Sequence, residues 1–328
     1  MSVIDTHTHF FPQEWIELLE RKGPEHGARM GRNEQGAVTF EFPGIRQVFL
    51  KGFIDLKVRL EHMDREGLDV HALSLTTPMV YWAPAELGLA LAQVYNDACS
   101  AACAAHPKRL VGMAVVPMQD SALAVQELQR AAKLPGMRGL YMGTHINRQN
   151  LDDESFFPVY AKCEELGWPI FLHPLDPLYA ERLDRYYLRN VIGFPYATSI
   201  AAASLIFGGV LDRFPRLDFV LPHAGGMFPP LVARWDHGAE MREEMQTTKL
   251  RPSEYLRRFY YDTIAHDDQI MMNVIRQVGV DRMVLGSDYC FGIGDPHPVK
   301  TVERLQTSLS VAECEMILGG TAARLLRI

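Results

Sequence analysis

Apolar and polar positions fall into two alternating textures along this chain. Short, nearly continuous apolar runs occur at 3–9, 70–77, 110–117, 137–143, 169–174, 217–223, 259–263 and 282–288, and each predicts a strand. Between them lie longer stretches whose apolar residues return every three to four positions, for example 55–66, 84–105, 121–133 and 153–166, and these predict helices. Asp120 and the pair Asp152-Asp153 stand where a helix start needs an acceptor for its free N–H groups. Eight strand-then-helix units with strands this apolar predict parallel pairing with both sheet faces covered. The expected fold is therefore α/β, a (β/α)8 TIM barrel. An open doubly wound sheet fits the same alternation, but no Gly-x-Gly-x-x-Gly follows the first strand.

The barrel usually takes about 250 residues, so a chain of 328 must carry insertions. Two stand out: 23–56 after the first strand, rich in glycine, charge and turn residues, and 175–196 after the fifth, containing Tyr186-Tyr187. No repeat, low-complexity tract or linker interrupts the pattern, so a single domain over 1–328 is expected.

Composition narrows the partners more than the fold. Hydrophobic residues make up 48% and charged residues 22%, enough to build a core without disulfides or a structural metal. A net charge of −7 leaves no surplus of cations for neutralising phosphates, which argues against nucleic acid or an anionic membrane. The longest apolar stretches, such as 197–211, are shorter than the roughly 18–20 residues a membrane span needs. The opening Met1-Ser2-Val3-Ile4-Asp5 lacks the basic and apolar segments of a signal peptide. Five cysteines form no Cys-x-x-Cys pair, and Cys99 and Cys103 share a helix face with alanines, as packed thiols do. The cytoplasm is the expected compartment.

The chemistry concentrates at strand ends. In Asp5-Thr6-His7-Thr8-His9-Phe10-Phe11-Pro12, residues two apart on a strand point to one face, so His7 and His9 project side by side. Two such imidazoles can chelate one divalent cation, although a loop carrying two histidines looks the same locally. Three further residues separate these readings. His173 ends Ile170-Phe171-Leu172-His173, His223 ends Phe219-Val220-Leu221-Pro222-His223, and Asp288 ends Met283-Val284-Leu285-Gly286-Ser287-Asp288. All five lie at carboxyl ends of predicted barrel strands, where active sites of this fold assemble. Tyr186 and Phe291 could wall an aromatic-sized pocket, or pack in loop and core.

This order of ligand-type residues resembles the amidohydrolase superfamily over essentially the whole chain. Finer motifs resemble the branch typified by 2-amino-3-carboxymuconate 6-semialdehyde decarboxylase: His9-Phe10-Phe11-Pro12, Arg59–Asp64 with its Glu61-His62-Met63-Asp64, Val115-Val116-Pro117-Met118-Gln119-Asp120, His173-Pro174, His223-Ala224-Gly225-Gly226 and Gly286-Ser287-Asp288-Tyr289. The resemblance implies that His7, His9, His173 and Asp288 ligate one divalent ion, zinc by its mixed nitrogen and oxygen donors, with manganese tolerated. Binuclear relatives bridge two ions with a lysine at the end of strand four; here Gly139-Leu140-Tyr141-Met142-Gly143 carries none, so one ion is expected. His223 would stand just outside the ligands and handle protons, with Asp288 as the other candidate catalytic group.

The implied reaction is non-oxidative decarboxylation of a small aromatic or muconate-type acid. A hydrolase or hydratase using the same mononuclear site is the alternative, and a barrel that binds without catalysis a third reading. Resemblance also implies that Arg46 binds the substrate carboxylate and that Arg234 reaches a neighbouring subunit's pocket in a homodimer. Two departures bear on specificity: Pro43 stands where the namesake decarboxylase has a lysine, and Leu175 follows His173-Pro174 in place of its tryptophan.

Overall fold

The computed structural model describes residues 2–175 and 180–328. Eleven strands occur among them: β1 (Ile4–His9), β2 (Arg29–Arg32), β3 (Val38–Phe42), β4 (Ile45–Val48), β5 (Val70–Ser74), β6 (Leu110–Ala114), β7 (Met137–Gly143), β8 (Ile170–His173), β9 (Phe219–Leu221), β10 (Phe259–Asp262) and β11 (Met283–Val284). Eight of them form one sheet in the order β1-β5-β6-β7-β8-β9-β10-β11, with every neighbouring pair parallel. The ends of this sheet meet. Thr6 N donates to Leu285 O at 2.9 Å, Asp288 N to His7 O at 2.9 Å and His9 N to Tyr289 O at 2.7 Å, closing the barrel. Almost every residue of these strands is buried, which accounts for their continuous apolar texture.

The expected helices form with small shifts. Leu56–Glu66 starts at Asp55, whose carboxylate accepts from Lys57 N and Val58 N, and ends at Gly67, whose φ of +72° suits glycine. Ala85–Ala105 and Ser121–Ala131 follow their strands, the second capped by Asp120 accepting from Leu123 N. Asp153 caps a short 3-10 turn instead, so the helix Phe157–Leu166 begins four residues later than the apolar pattern suggests.

Three features differ from the sequence expectation. The 23–56 insertion, read as turn-rich, folds β2, β3 and β4 into an antiparallel sheet whose Val38 and Phe40 are buried. Its strands are four or five residues long, β2 buries none of its positions and β4 only Gln47, so alternation barely registers over such lengths. The helix Gln13–Lys22, which the pattern left unassigned, buries Trp15, Ile16, Leu18 and Leu19. Residues 197–207 of the apolar stretch belong to a helical run Arg189–Phe207 of 19 residues, longer than the sequence suggested and long enough to cross a membrane by length and composition alone. Half of its apolar window is buried within the protein, with Ala201, Ala202, Leu205 and Ile206 facing inward, as in a core helix.

Candidate metal centre

β1 delivers His7 and His9, β8 ends on His173, and the turn after β11 carries Asp288. One ligand-type atom from each of these four buried residues lies within 4.8 Å of all the others. Such a buried donor set of three histidines and one carboxylate suits a single metal ion.

The outward-facing nitrogens make the set specific. His7 Nδ1 lies 2.8 Å from Asp262 Oδ2 and donates to it. His9 Nδ1 lies 3.1 Å from Ser74 Oγ, whose own proton goes to Thr8 O at 2.8 Å, so the hydroxyl oxygen accepts from the imidazole. His173 Nδ1 donates to Pro174 O at 2.8 Å. In each ring an acceptor at Nδ1 favours the proton there and leaves Nε2 as the nitrogen facing inward, the arrangement that metal ligation requires. His7 Nε2 is buried, makes no hydrogen bond among the described residues and lies 3.4 Å from Asp288 Oδ1. A buried nitrogen left in that state fits a cation better than an empty core.

Burial and charge tune the four groups. Burial pushes His9 down to about 4 and His173 well below the usual imidazole range, so both are neutral at neutral pH. Burial alone would raise Asp288, but the imidazoles of His223, His9 and His7 outweigh it and hold the carboxyl well below its usual range. For His7 burial acts downward too, yet the Asp262 hydrogen bond and the charges of Asp288, Asp262 and Asp5 leave it raised.

Asp262, at the end of β10, escaped the sequence reading although it ends a predicted strand as His173 and Asp288 do. Its Oδ1 accepts from Ala224 N at 2.9 Å and Ile264 N at 3.1 Å, fixing the carboxylate that fixes His7. Neither Arg59, which opens the Arg59–Asp64 motif, nor His71 carries a role in the sequence reading. Fully buried behind β1, Arg59 donates to His9 O and to His71 Nδ1 at 3.2 Å, its guanidinium 4.8 Å from the Tyr289 ring centre. On β7, Tyr141 occupies the strand-four position, with its ring 6.0 Å from those of His9 and His173.

His223 Nε2 lies 3.9 Å from Asp288 Oδ2, and both residues line a cavity of about 420 Å³. His223, Ala224 and Asp288 all adopt left-handed backbone angles, with φ of +53°, +52° and +61°. Non-glycine residues held this way concentrate at functional sites.

The other sequence candidates part company here. Phe291 meets the cluster, its ring 5.4 Å from His9 and 5.0 Å from Phe53. Arg46 lies on β4 with its side chain 85% exposed and Nε 4.0 Å from Glu41 Oε1, and it does not line the cavity. Tyr186 is exposed and stacked under Arg185, with φ of +58°. Arg234 is exposed on the helix Phe228–Met241, whose Pro230 does line the cavity.

The sequence model of a family described as amidohydrolase matches residues 4–328. A 2-amino-3-carboxymuconate-6-semialdehyde decarboxylase of Dictyostelium discoideum is 32% identical over 98% of this chain and 91% of its own length. A 5-carboxyvanillate decarboxylase from Sphingomonas paucimobilis superposes with a TM-score of 0.86 at 28% identity, covering 100% of this chain and 99% of that one. A dihydroxybenzoic acid decarboxylase from Polaromonas, solved with manganese and the inhibitor 2-nitroresorcinol, gives 0.80 at 26% identity over 99% and 97% of the two chains.

Proposed function

Because the chain belongs to the amidohydrolase family, we propose that it is a metal-dependent carboxy-lyase that removes CO2, without oxidation, from a small aromatic or muconate-type carboxylic acid. The observation that carries this reading is the meeting of four ligand-type groups, one of which, Asp288, lines a cavity together with His223. His7, His9, His173 and Asp288 would hold the ion. When bound, it supplies an electrophile that polarises a substrate oxygen next to the carbon bearing the carboxylate.

Losing CO2 breaks one carbon–carbon bond and leaves its electron pair on the substrate carbon, which must then take a proton. His223 is placed to move that proton: its ring borders the cavity and its Nε2 faces Asp288. Asp262, Ser74 and the Pro174 carbonyl keep the three ligand rings in one tautomer throughout. Phe291 and Phe53 cover the His9 side and exclude water from it.

The donor set suits zinc, and manganese is the alternative carried by the Polaromonas relative. A homodimer in which Arg234 approaches a neighbouring subunit's cavity is part of the same proposal, and sedimentation tests it.

The test of function is product analysis. Protein loaded with zinc or manganese is incubated with a panel of hydroxybenzoic and muconic acids in oxygen-18 water. CO2 release without oxygen or an organic cofactor is expected. Water oxygen entering the product with no CO2 released would overturn the proposal in favour of a hydrolase or hydratase.

A further inference from the structure

β1 is not a regular strand. It pairs Asp5 with His71 and Thr8 with Leu73, so three steps along β1 match two along β5. This one-residue bulge sets Thr6 and His7 against Ala72 alone. Side chains alternate along a strand, and neighbours in register share a face. Asp5 and Thr8 therefore lie on the face of His71 and Leu73, while His7 and His9 lie on the other, where His9 meets Ser74. Without the bulge, Asp5 would share a face with both ligand histidines.

From its own face, Asp5 turns one oxygen back onto two backbone groups. Its Oδ1 accepts from His7 N and from Ser287 N, each at 3.1 Å. His7 O in turn accepts from Asp288 N at 2.9 Å. A single carboxylate oxygen thus ties the residue that bears one ligand to the residue preceding another, across the seam where β1 meets the turn after β11.

The other oxygen is approached from behind. Arg59 Nη1 lies 3.2 Å from His71 Nδ1, and a guanidinium only donates, so this nitrogen accepts and the His71 proton is on Nε2. That N–H faces Asp5 Oδ2 at 3.8 Å, and neither atom has a hydrogen bond to any described residue. Arg59 also donates to His9 O. Asp5, His71 and Arg59 are all fully buried, and together they reach the backbone at His7, at His9 and at the turn before Asp288.

Resting on the reading of these ligands as a metal centre, we propose that Asp5 is the positioning residue of that centre, with His71 as the relay joining it to Arg59. Asp5 holds the β1 bulge and the Ser287–Asp288 turn in the register that brings His7 and Asp288 onto one ion.

The test reads metal binding and coordination on cobalt-loaded protein: affinity by chelator competition, and geometry by the visible ligand-field absorption of bound Co(II). Asp5→Asn sets an amide N–H against His71 Nε2–H, or against the two backbone donors if the amide turns, and Arg59 bars the other His71 tautomer. Affinity should fall about 10- to 100-fold, with a changed ligand-field spectrum. His71→Gln supplies an oxygen to Arg59 and an N–H to Asp5, so its affinity should stay within about threefold of the parent protein. His71→Leu supplies neither and should weaken binding about tenfold or more.

Parent-like affinity and spectrum in folded Asp5→Asn would overturn the assignment, even with a lower urea midpoint, because a purely structural brace gives that result. Equal affinities in His71→Gln and His71→Leu would overturn it too, and they decide alone if Asp5→Asn does not fold. A parent protein that binds no cobalt would overturn both this assignment and the metal reading. CO2 release enters none of these measurements, so the decarboxylase reading stands or falls apart from them.

Discussion

His7 donates its Nδ1 proton to Asp262 Oδ2 at 2.8 Å, tying the first strand of the barrel to the seventh across 255 residues of chain. The other oxygen of Asp262 already accepts from two backbone N–H groups, of Ala224 and Ile264. Asp262→Asn therefore leaves one acceptor oxygen for three donors, and an amide turned toward His7 would force the imidazole into the other tautomer. Metal affinity should fall about 10- to 100-fold, read by competition with a chromophoric chelator. Unchanged affinity would remove Asp262 from this role.

Ligands and proton carrier should separate cleanly on substitution. His7→Ala removes a donor whose lone pair has no other use in the site, so tight metal retention should disappear in elemental analysis of the purified protein. His223→Asn should keep the metal and lose turnover by about 10²- to 10⁴-fold, the usual contribution of a positioned proton-transfer group. Full metal occupancy in the first variant, or ordinary turnover in the second, would reassign the residue concerned.

Acid should release the metal in two stages. Burial pushes the His7 imidazolium down, but Asp262, Asp288 and Asp5 outweigh it and raise its pKa above 6.5 in the metal-free protein. Metal must displace that proton, so affinity should already be falling at pH 6.5, with a dependence between half a proton and one proton per ion. His9 stays neutral until about pH 4, where the dependence should steepen. Titration of metal into the metal-free protein at pH 6.5, in buffers of different ionisation enthalpy, should report more than half a proton released per ion.

The barrel strands were legible because each is buried on both faces, and a titratable residue ending such a run has few structural explanations. His173 and Asp288 were found this way. Asp262 carries the same signal, but an aspartate at a strand end reads equally well as the cap of a following helix. The hairpin strands β2 to β4 were illegible because four or five residues with at most two buried positions make no period. Arg46 was selected by resemblance alone, and the local pairing of β3 with β4, which sets Arg46 opposite Glu41, has no counterpart in sequence spacing.

Arg46→Ala tests that difference. An exposed pair 4.0 Å apart contributes little, so stability should change by less than about 0.5 kcal/mol. KM for an aromatic monoacid should change by less than about twofold, since Arg46 does not line the cavity. A KM increase of tenfold or more would bring the hairpin arginine to the substrate.

Arg59 offers a prediction about how the site is braced from behind. It is fully buried, and its donors satisfy His9 O, on the residue whose side chain joins the ligand cluster, and His71 Nδ1. Arg59→Leu keeps most of the apolar volume but leaves two buried acceptors without partners, each costing about 1–3 kcal/mol. Stability should fall by about 2–6 kcal/mol, measured as a shift in the urea midpoint at constant slope. Arg59→Lys retains a charge but loses the planar fork and the stacking on Tyr289, so it should recover less than half of that loss. If Arg59 only fastened the barrel wall, the metal-free and metal-loaded proteins would lose stability equally. Because it holds the His9 backbone, the loaded protein should lose more, and the difference should match the fall in metal affinity measured directly.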